Sequence, residues 1–521
     1  MPSFTIAADT TKTSHLDSSF PSQIFCLIFE HRHRDIFEAA SISHLETDLE
    51  SLWRETLDSE CLQDLLDLTH VCSTWRKIAL ADPELWATLL LSWPMNVIKM
   101  FIDRAKTVGL KMFLSLATAV GRPRIRNDMS TYDLQIRGTL IARHMTHIAE
   151  LYVHDGRHWD KGNLHRIITP PISHLSSLYS VIANWEAPSL RKLTILSDGM
   201  LQTELDSNRI HGLFRGHAPN LTDLDLKGVQ IRLFGTPFSS LTSLQITTHC
   251  RSEVLYTMND IPIVLAQFPR LESFHLIYSP FYPHIFSPSN HPINTHVVLP
   301  CCKSIDISEM PAQLMIRLFW SIEAPSLQRL RMSHPKSIDN TDKCLLRYFP
   351  PWLHKFFHNV PSLDFCLQTK GIWVGSAFER DGMRFYWLFN MPGIYNDLDI
   401  ILWFIDFGED LFLLNPERLN IRRGNNLRNS RPCQPSSSIW RGILDILPRL
   451  RMITAERNVP MENFFRTLRD EDDEDEDYSS TLLGVIDVNG AKGDKHRSKK
   501  LFLRRHGHGR RLQEVIVDLQ Q

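Results

Sequence analysis

The chain has 521 residues, 43% of them hydrophobic and 22% charged, with 57 Lys and Arg against 59 Asp and Glu for a net charge of −2 at pH 7. So even a balance lacks the basic excess of a nucleic-acid binder, and no apolar run approaches the ~20 residues a membrane helix needs. Its 9 cysteines show no Cys-x-x-Cys spacing and only Cys301 and Cys302 adjoin, which points to reduced thiols in cytosol or nucleus and against a secreted disulfide scaffold.

The polar start, residues 1–19, has no apolar signal core and is expected to be disordered. Pro21 then suits the first helical position, where its missing N–H has no intrahelical partner to lose. Ile24, Leu27 and Ile28 follow on one face at helical spacing, beside Phe25 and Phe29. Ser43-His44-Leu45-Glu46 reads as a capping box ahead of an apolar stripe of Leu45, Leu49, Leu52, Trp53 and Leu57. Helical period returns from Leu62 through Leu65, Leu66, Cys72, Trp75 and Ala79. Asp82-Pro83 supplies an N-cap and N1 for a short turn carrying Leu85 and Trp86.

The two ends of this segment are Phe20-Pro21-Ser22-Gln23-Ile24-Phe25-Cys26-Leu27-Ile28-Phe29 and Val71-Cys72-Ser73-Thr74-Trp75-Arg76-Lys77-Ile78-Ala79, the latter running on to Pro83-Glu84-Leu85-Trp86. The pair resembles the F-box-like domain common in mushroom-forming fungi, in which Leu-Pro-x-Glu-Ile-x-x-x-Ile-Phe is followed by Val-Cys-x-x-Trp-Arg-x-Ile-Ala and Pro-x-Leu-Trp. Phe20 stands where that pattern has Leu, Ser22-Gln23 where it has Pro-Glu, and the intervening stretch is longer and carries its own helix. The resemblance implies a small helical domain over 20–95 that docks a Skp-type adaptor and, through it, a cullin. The adaptor-binding positions it carries over are Phe20, Pro21, Ile24, Ile28, Val71, Trp75, Leu85 and Trp86, with Trp75 and Trp86 the most structural of them.

Beyond this unit a block of the form Pro-x-Leu-x-x-Leu-x-Ile recurs. It stands at Pro188–Ile195, Pro219–Leu226 and Pro269–Leu276, with looser copies at Leu241–Ile246, Pro300–Ile307 and Pro325–Met332 and fainter ones at Ile148–Val153, Pro448–Ile453 and Leu512–Val517. Alternating apolar and polar residues make each copy a short strand with one buried face. Helical stretches such as Gln313–Ile322, Trp352–His358 and Ile439–Leu447 separate them. The expected fold is α/β: the helical unit followed, over 96–465, by an irregular leucine-rich-repeat solenoid with parallel strands on its concave face and helices on its convex one. Spacing is uneven between Leu327 and Leu450, so an interruption is expected there. Within it, Ile372-Trp373-Val374 and Met383–Trp387 flank Asp381-Gly382 as a predicted hairpin, and Ile400–Ile405 reads as a buried strand.

If the Leu and Ile positions point inward, the residues between them form a polar ladder open to a partner. Its members are Lys192 and Thr194, Asp223 and Asp225, Ser243 and Gln245, Ser273 and His275, Ser304 and Asp306, and Arg329 and Arg331. The ladder is acidic early and basic late, which makes it the candidate surface for a target protein of unknown identity.

Toward the C-terminus, residues 466–511 form a low-complexity segment: eight consecutive carboxylates at Asp470–Asp477, then nine Lys or Arg with one Asp between Lys492 and Arg511. Such a segment reads as solvated, with strand-like pieces at Leu482–Val488 and Leu512–Leu519; residues 512–521 close the chain. Chemistry is quiet. His31-x-His33 and His506-x-His508 lack further ligands at zinc spacing, and no phosphate-binding loop or nucleophile elbow occurs, so neither metal, cofactor nor catalytic residue is assigned. The resemblance therefore implies a substrate-recognition subunit of a cullin-RING ubiquitin ligase, without enzymatic activity of its own. The alternative is a leucine-rich-repeat scaffold whose degenerate F-box no longer binds an adaptor.

Overall fold

The structure, a computed structural model, describes residues 70, 72–115, 131–155, 184–201, 213–229, 238–248, 260–278, 296–308, 310–335, 346–357, 362–368, 371–375, 378–380, 383–390, 414, 416–423, 440, 447, 450, 452–455 and 485–487. The anticipated helices before His70, the run Ile400–Ile405, the charged runs after Asp470 and the segment Leu512–Leu519 lie outside these residues, as does all but Trp440 and Leu447 of the helix expected at Ile439–Leu447. The chain divides into two compact units, Met1–Val229 and Gln230–Gln521.

In the first unit, helix α1 (Ser73–Ala81) is followed by a 3-10 turn at Pro83–Trp86. Asp82 caps that turn by accepting from the Glu84 N–H at 3.1 Å, with Pro83 at N1, as the sequence led us to expect. Next come β1 (Thr88–Leu90), α2 (Met95–Ala105), β2 (Leu110–Ser115), α3 (Thr131–His144), β3 (Ile148–Asp155), β4 (Lys192–Leu201) and β5 (Asp223–Val229). These five strands pair parallel in chain order. β1 lies inside residues 20–95, so the parallel sheet begins earlier than the expected start at 96. The sequence of β1 alone gave no such signal: it is three residues buried throughout and has no alternation to read.

The second unit contains β6 (Ser243–Thr248), α4 (Asp260–Leu265), β7 (Ser273–Tyr278), β8 (Val297–Val298), β9 (Ser304–Ser308), α5 (Ala312–Ser321), β10 (Ile322–Glu323), β11 (Arg329–Pro335) and α6 (His354–Phe357). After them stand β12 (Ser362–Gln368), β13 (Gly371–Gly375), β14 (Phe378–Arg380), β15 (Met383–Asn390), β16 (Arg418–Arg423), β17 (Met452–Ala455) and β18 (Val485–Asp487). Strands β6, β7, β9, β11 and β15 are parallel neighbours, and β14 closes the edge antiparallel to β15. A separate sheet has β13 antiparallel to β12, then β16, β17 and β18 in parallel order. The interruption expected after Leu327 is thus a change of sheet between β11 and β12.

The predicted hairpin at Asp381-Gly382 is present, but its first arm is β14 and not Ile372–Val374. Arg380 of β14 pairs with Met383 of β15, with Asp381 and Gly382 outside the described residues, while Ile372–Val374 joins β12 as β13. A two-residue turn selects the nearest strand. The helix expected at Trp352–His358 is a 3-10 turn, Pro351–Leu353, running into α6.

The recurrent block has one structural meaning. In the described copies its proline is the second residue of a turn in which the N–H of the Leu, or of Cys302 in the copy at Pro300, bonds the carbonyl three residues back: Leu190 to Ala187, Leu221 to Ala218, Leu271 to Phe268, Cys302 to Leu299 and Leu327 to Ala324; Leu450 bonds Leu447 in the same way. Pro pre-sets the φ this position needs and gives up no donated bond. Both ends of every one of these turns are buried. The first strand residue comes two after the Leu, so the next two apolar positions, such as Leu193 and Ile195 or Leu224 and Leu226, turn into the same core. Neighbouring turns are also laced to each other. Ser189 Oγ donates to the Thr146 carbonyl at 2.6 Å, Asn220 Nδ2 to Pro188 at 2.7 Å and Ser326 Oγ to Pro300 at 2.7 Å.

Candidate protein-binding face

Because side chains alternate across a strand, the face opposite each apolar layer carries the ladder residues in rows fixed by register. In the first unit one row runs Lys111, Glu150, Lys192, Asp223, alternating in charge over four strands. Lys111 Nζ lies 3.1 Å from Glu150, and Glu150 also accepts from the Tyr152 hydroxyl at 3.1 Å. Asp223 accepts from Thr222 Oγ1 at 2.6 Å. The next row is Phe113, Tyr152, Thr194, Asp225. Its two rings stack at 4.4 Å with an interplanar angle of 6°, and Lys192 Nζ lies 5.3 Å above the Tyr152 ring.

Asp225 is the costly member of this row. Its Oδ1 is buried without a hydrogen-bond partner, and burial pushes its carboxyl up to about 6, against the pull of Lys192 and Lys227. Burial and the neighbouring Glu150 likewise raise the Tyr152 hydroxyl, which stays neutral. A carboxyl whose folded value exceeds its unfolded value of 3.8 favours the folded state most when protonated, so this contribution is lost as pH rises through about 6. Asp225→Asn is therefore expected to raise stability by about 1–3 kcal/mol at pH 7.5 and by much less at pH 4.5, read from urea midpoints at the two pH values.

In the second unit the corresponding rows are Ser243, Ser273, Ser304, Arg329 and Gln245, His275, Asp306, Arg331. Asp306 sits between His275 and Arg331, with His275 Nε2 at 3.4 Å and Arg331 Nε at 3.7 Å from the same oxygen, and accepts from Ser308 Oγ at 3.0 Å. Burial, then the Arg331 charge, lower the His275 value against the opposing pull of Asp306. Arg329 is exposed.

The ladder residues named from sequence thus occupy one register-defined face in each unit, with one change of role. Thr194 is 5% exposed, a packing residue between Tyr152 and Asp225 and not a contact residue. Of the adaptor-binding positions, Leu85 and Trp86 are 2% and 1% exposed and belong to the core. They hold α1 and the 3-10 turn to the first βαβ unit, so neither is a contact surface. Trp75 lies in α1; Phe20, Pro21, Ile24, Ile28 and Val71 lie outside the described residues.

Sequence reasoning missed Lys111 and Phe113, because β2 enters from α2 without the Pro-x-Leu turn. It also missed Glu150 and Tyr152, although the faint copy at Ile148–Val153 contained them. Among the described residues no three His, Cys, Asp or Glu side chains converge as a metal site, and no helix is long and apolar enough to cross a membrane. Cys302 is buried, and burial pushes its thiol up to about 12, which leaves it inert at neutral pH. No protein-family model matches the chain, and no curated protein sequence matches it.

Proposed function

We propose that the chain is an F-box substrate-recognition subunit of a cullin-RING ubiquitin ligase, binding a Skp-type adaptor through its N-terminal helices and a target protein through the ladder residues of its repeat units. The observation that carries this reading is the fate of the second sequence block. Ser73–Ala81 is a helix, Asp82-Pro83 caps the following turn, and that turn inserts Leu85 and Trp86 into the core beside β1 and α2. An adaptor-docking helix joined to a parallel sheet through a buried turn suits a receptor that acts by proximity: it raises the effective concentration of target lysines near a charged ubiquitin carrier, with no chemistry of its own.

The ladder supports the target-binding half of the proposal. Its charges lie in fixed register on rigid strands, a preorganised pattern of the kind that gives specificity more than raw affinity. Charge reversal at Asp223→Lys together with Arg329→Glu should remove the target from the proteins recovered with the full-length chain, by tenfold or more in quantitative mass spectrometry. Adaptor recovery should stay constant. An unchanged set of recovered proteins would move target binding away from the ladder residues of both units. The altered Phe20-Pro21-Ser22-Gln23 start favours the second reading, a scaffold that has lost its adaptor.

A further inference from the structure

The ladder of the second unit contains a row of hydrogen-bond donors without acceptors. Register sets Ser243 of β6, Ser273 of β7, Ser304 of β9 and Arg329 of β11 side by side, adjacent members one strand spacing of about 4.8 Å apart. The backbone fixes this row with one bonding pattern repeated in all three gaps. The N–H groups of Glu272 and Ser273 both reach the Thr242 carbonyl, at 2.8 and 2.9 Å. Those of Lys303 and Ser304 reach the Glu272 carbonyl at 2.8 and 3.0 Å, and those of Gln328 and Arg329 reach the Lys303 carbonyl at 2.9 and 2.8 Å. The three serines are half-buried and Arg329 is exposed. Among the described residues, none of the three hydroxyls has a hydrogen-bond partner and Arg329 has no ion pair.

The carboxylates that border the serines are already engaged. Glu272 lies 2.8 Å from Lys303 Nζ, and Asp306, one row along, is flanked by His275 at 3.4 Å and Arg331 at 3.7 Å. On the far side of Arg329 its register partner is Arg384 of β15, beyond which the row ends at Glu379 of β14. Arg329 therefore stands between a hydroxyl and a second cation in register, and like charges in such positions repel. An anion at Arg329 relieves that repulsion. A basic segment would have to break existing pairs to reach a carboxylate here, whereas an acidic one meets only unused donors. Because the strands hold those donors in place, binding need not order them.

We infer that the row Ser243, Ser273, Ser304, Arg329 docks an extended acidic segment of the target protein, with one carboxylate on the Arg329 guanidinium and further carboxylate or carbonyl oxygens on the serine hydroxyls. The inference rests on the target-binding reading above and names the chemistry of what is bound. From Ser243 to Arg329 the row spans about 14 Å, the length of roughly four extended residues. The probe is a fluorescein-labelled heptapeptide pool with Asp or Glu alternating with Ala, titrated into the full-length chain by anisotropy. A second pool carries Asn or Gln at the acidic positions, and a third carries phosphoserine. The acidic pool should bind saturably, more weakly as salt is raised, and at least tenfold better than the amide pool. Arg329→Gln should weaken the acidic pool tenfold or more and Ser273→Ala roughly threefold, the difference between a charged and a neutral hydrogen bond, with melting curves unchanged. No saturable binding, equal binding of the acidic and amide pools, or wild-type affinity in both variants would overturn the inference. So would binding by the phosphoserine pool alone, or a dimer in sedimentation that Arg329→Gln dissolves. Acidic-pool binding that appears only after the carboxylates of Asp470–Asp477 are replaced by Asn and Gln would make the chain's own acidic run the occupant, and would overturn it too. The target-binding reading fails separately, through an unchanged set of recovered proteins in the charge-reversal experiment.

Discussion

Trp86→Ala is expected to destabilise the first unit by about 3–5 kcal/mol, the range for emptying a large buried aromatic site. Trp86 is 1% exposed and makes three distinct interactions. Its indole Nε1 donates to the Ala79 carbonyl at 2.7 Å, which ties the 3-10 turn back to α1. Its ring meets Phe101 of α2 edge to face at 5.0 Å, and the Arg104 guanidinium lies 4.2 Å over it. Phe101 in turn packs on Trp93 at 4.9 Å, so the cavity would open at the junction of α1, α2 and β1. Alanine would also leave the Ala79 carbonyl buried without this donor, adding to the transfer term. Trp86→Phe keeps most of the volume and loses the hydrogen bond, and should cost roughly 1–2 kcal/mol. Urea unfolding followed by circular dichroism measures both. A loss below 1 kcal/mol for the alanine variant would contradict the placement of this residue as the clamp between helix and sheet.

The clamp separates two explanations that a binding experiment alone would confuse. Loss of adaptor capture in a Trp86 variant would follow from unfolding, since the side chain is inaccessible. Loss in a variant of the first block, with the melting curve intact, would follow from a missing contact.

Local signals carried the repeat well and long-range pairing poorly. Pro188-Ser189-Leu190, Pro219-Asn220-Leu221 and Pro269-Arg270-Leu271 encode both a turn and the phase of the strand after it, so strand, buried face and ladder residue could all be read from eight residues. β2 has good alternation, Leu110-Lys111-Met112-Phe113-Leu114, but no turn signature before it, and so Lys111 and Phe113 went unread. Which strands become neighbours is not local information. The hairpin's turn was legible in Asp381-Gly382, whereas the choice of β14 over β13 as its arm depends on β12 claiming β13 five residues deep.

The site itself was legible as positions and not as energetics. Alternation placed Asp223 and Asp225 alike, yet Asp223 has a hydroxyl partner while Asp225 holds a buried oxygen with none. Thr194 reads as a polar ladder residue and is covered by its neighbours, because row-mates on adjacent strands bury one another and the sequence does not say which rows are filled. Leu85 and Trp86 match the F-box pattern at positions that the fold uses for its own core.

The second large effect concerns the adaptor. Pro21 stands at an expected N1 position and Ile24 on the apolar face it opens, so Pro21→Ala with Ile24→Ala removes the preset φ and a branched anchor from the face assigned to the partner. Neither residue belongs to a Pro-x-Leu block, so the repeat units are expected to keep their stability, which the melting curves check. Truncating an interface anchor of this kind typically costs about 2 kcal/mol or more, a thirtyfold loss of affinity. The most direct measurement is a pull-down of the tagged full-length chain beside this double variant, probed for a Skp-type adaptor and cullin, with melting curves recorded for both proteins. Capture by the wild type and its loss in an equally stable variant is the predicted result. Absence of adaptor and cullin from both, with the proteins folded, would contradict the receptor reading and leave a leucine-rich-repeat scaffold.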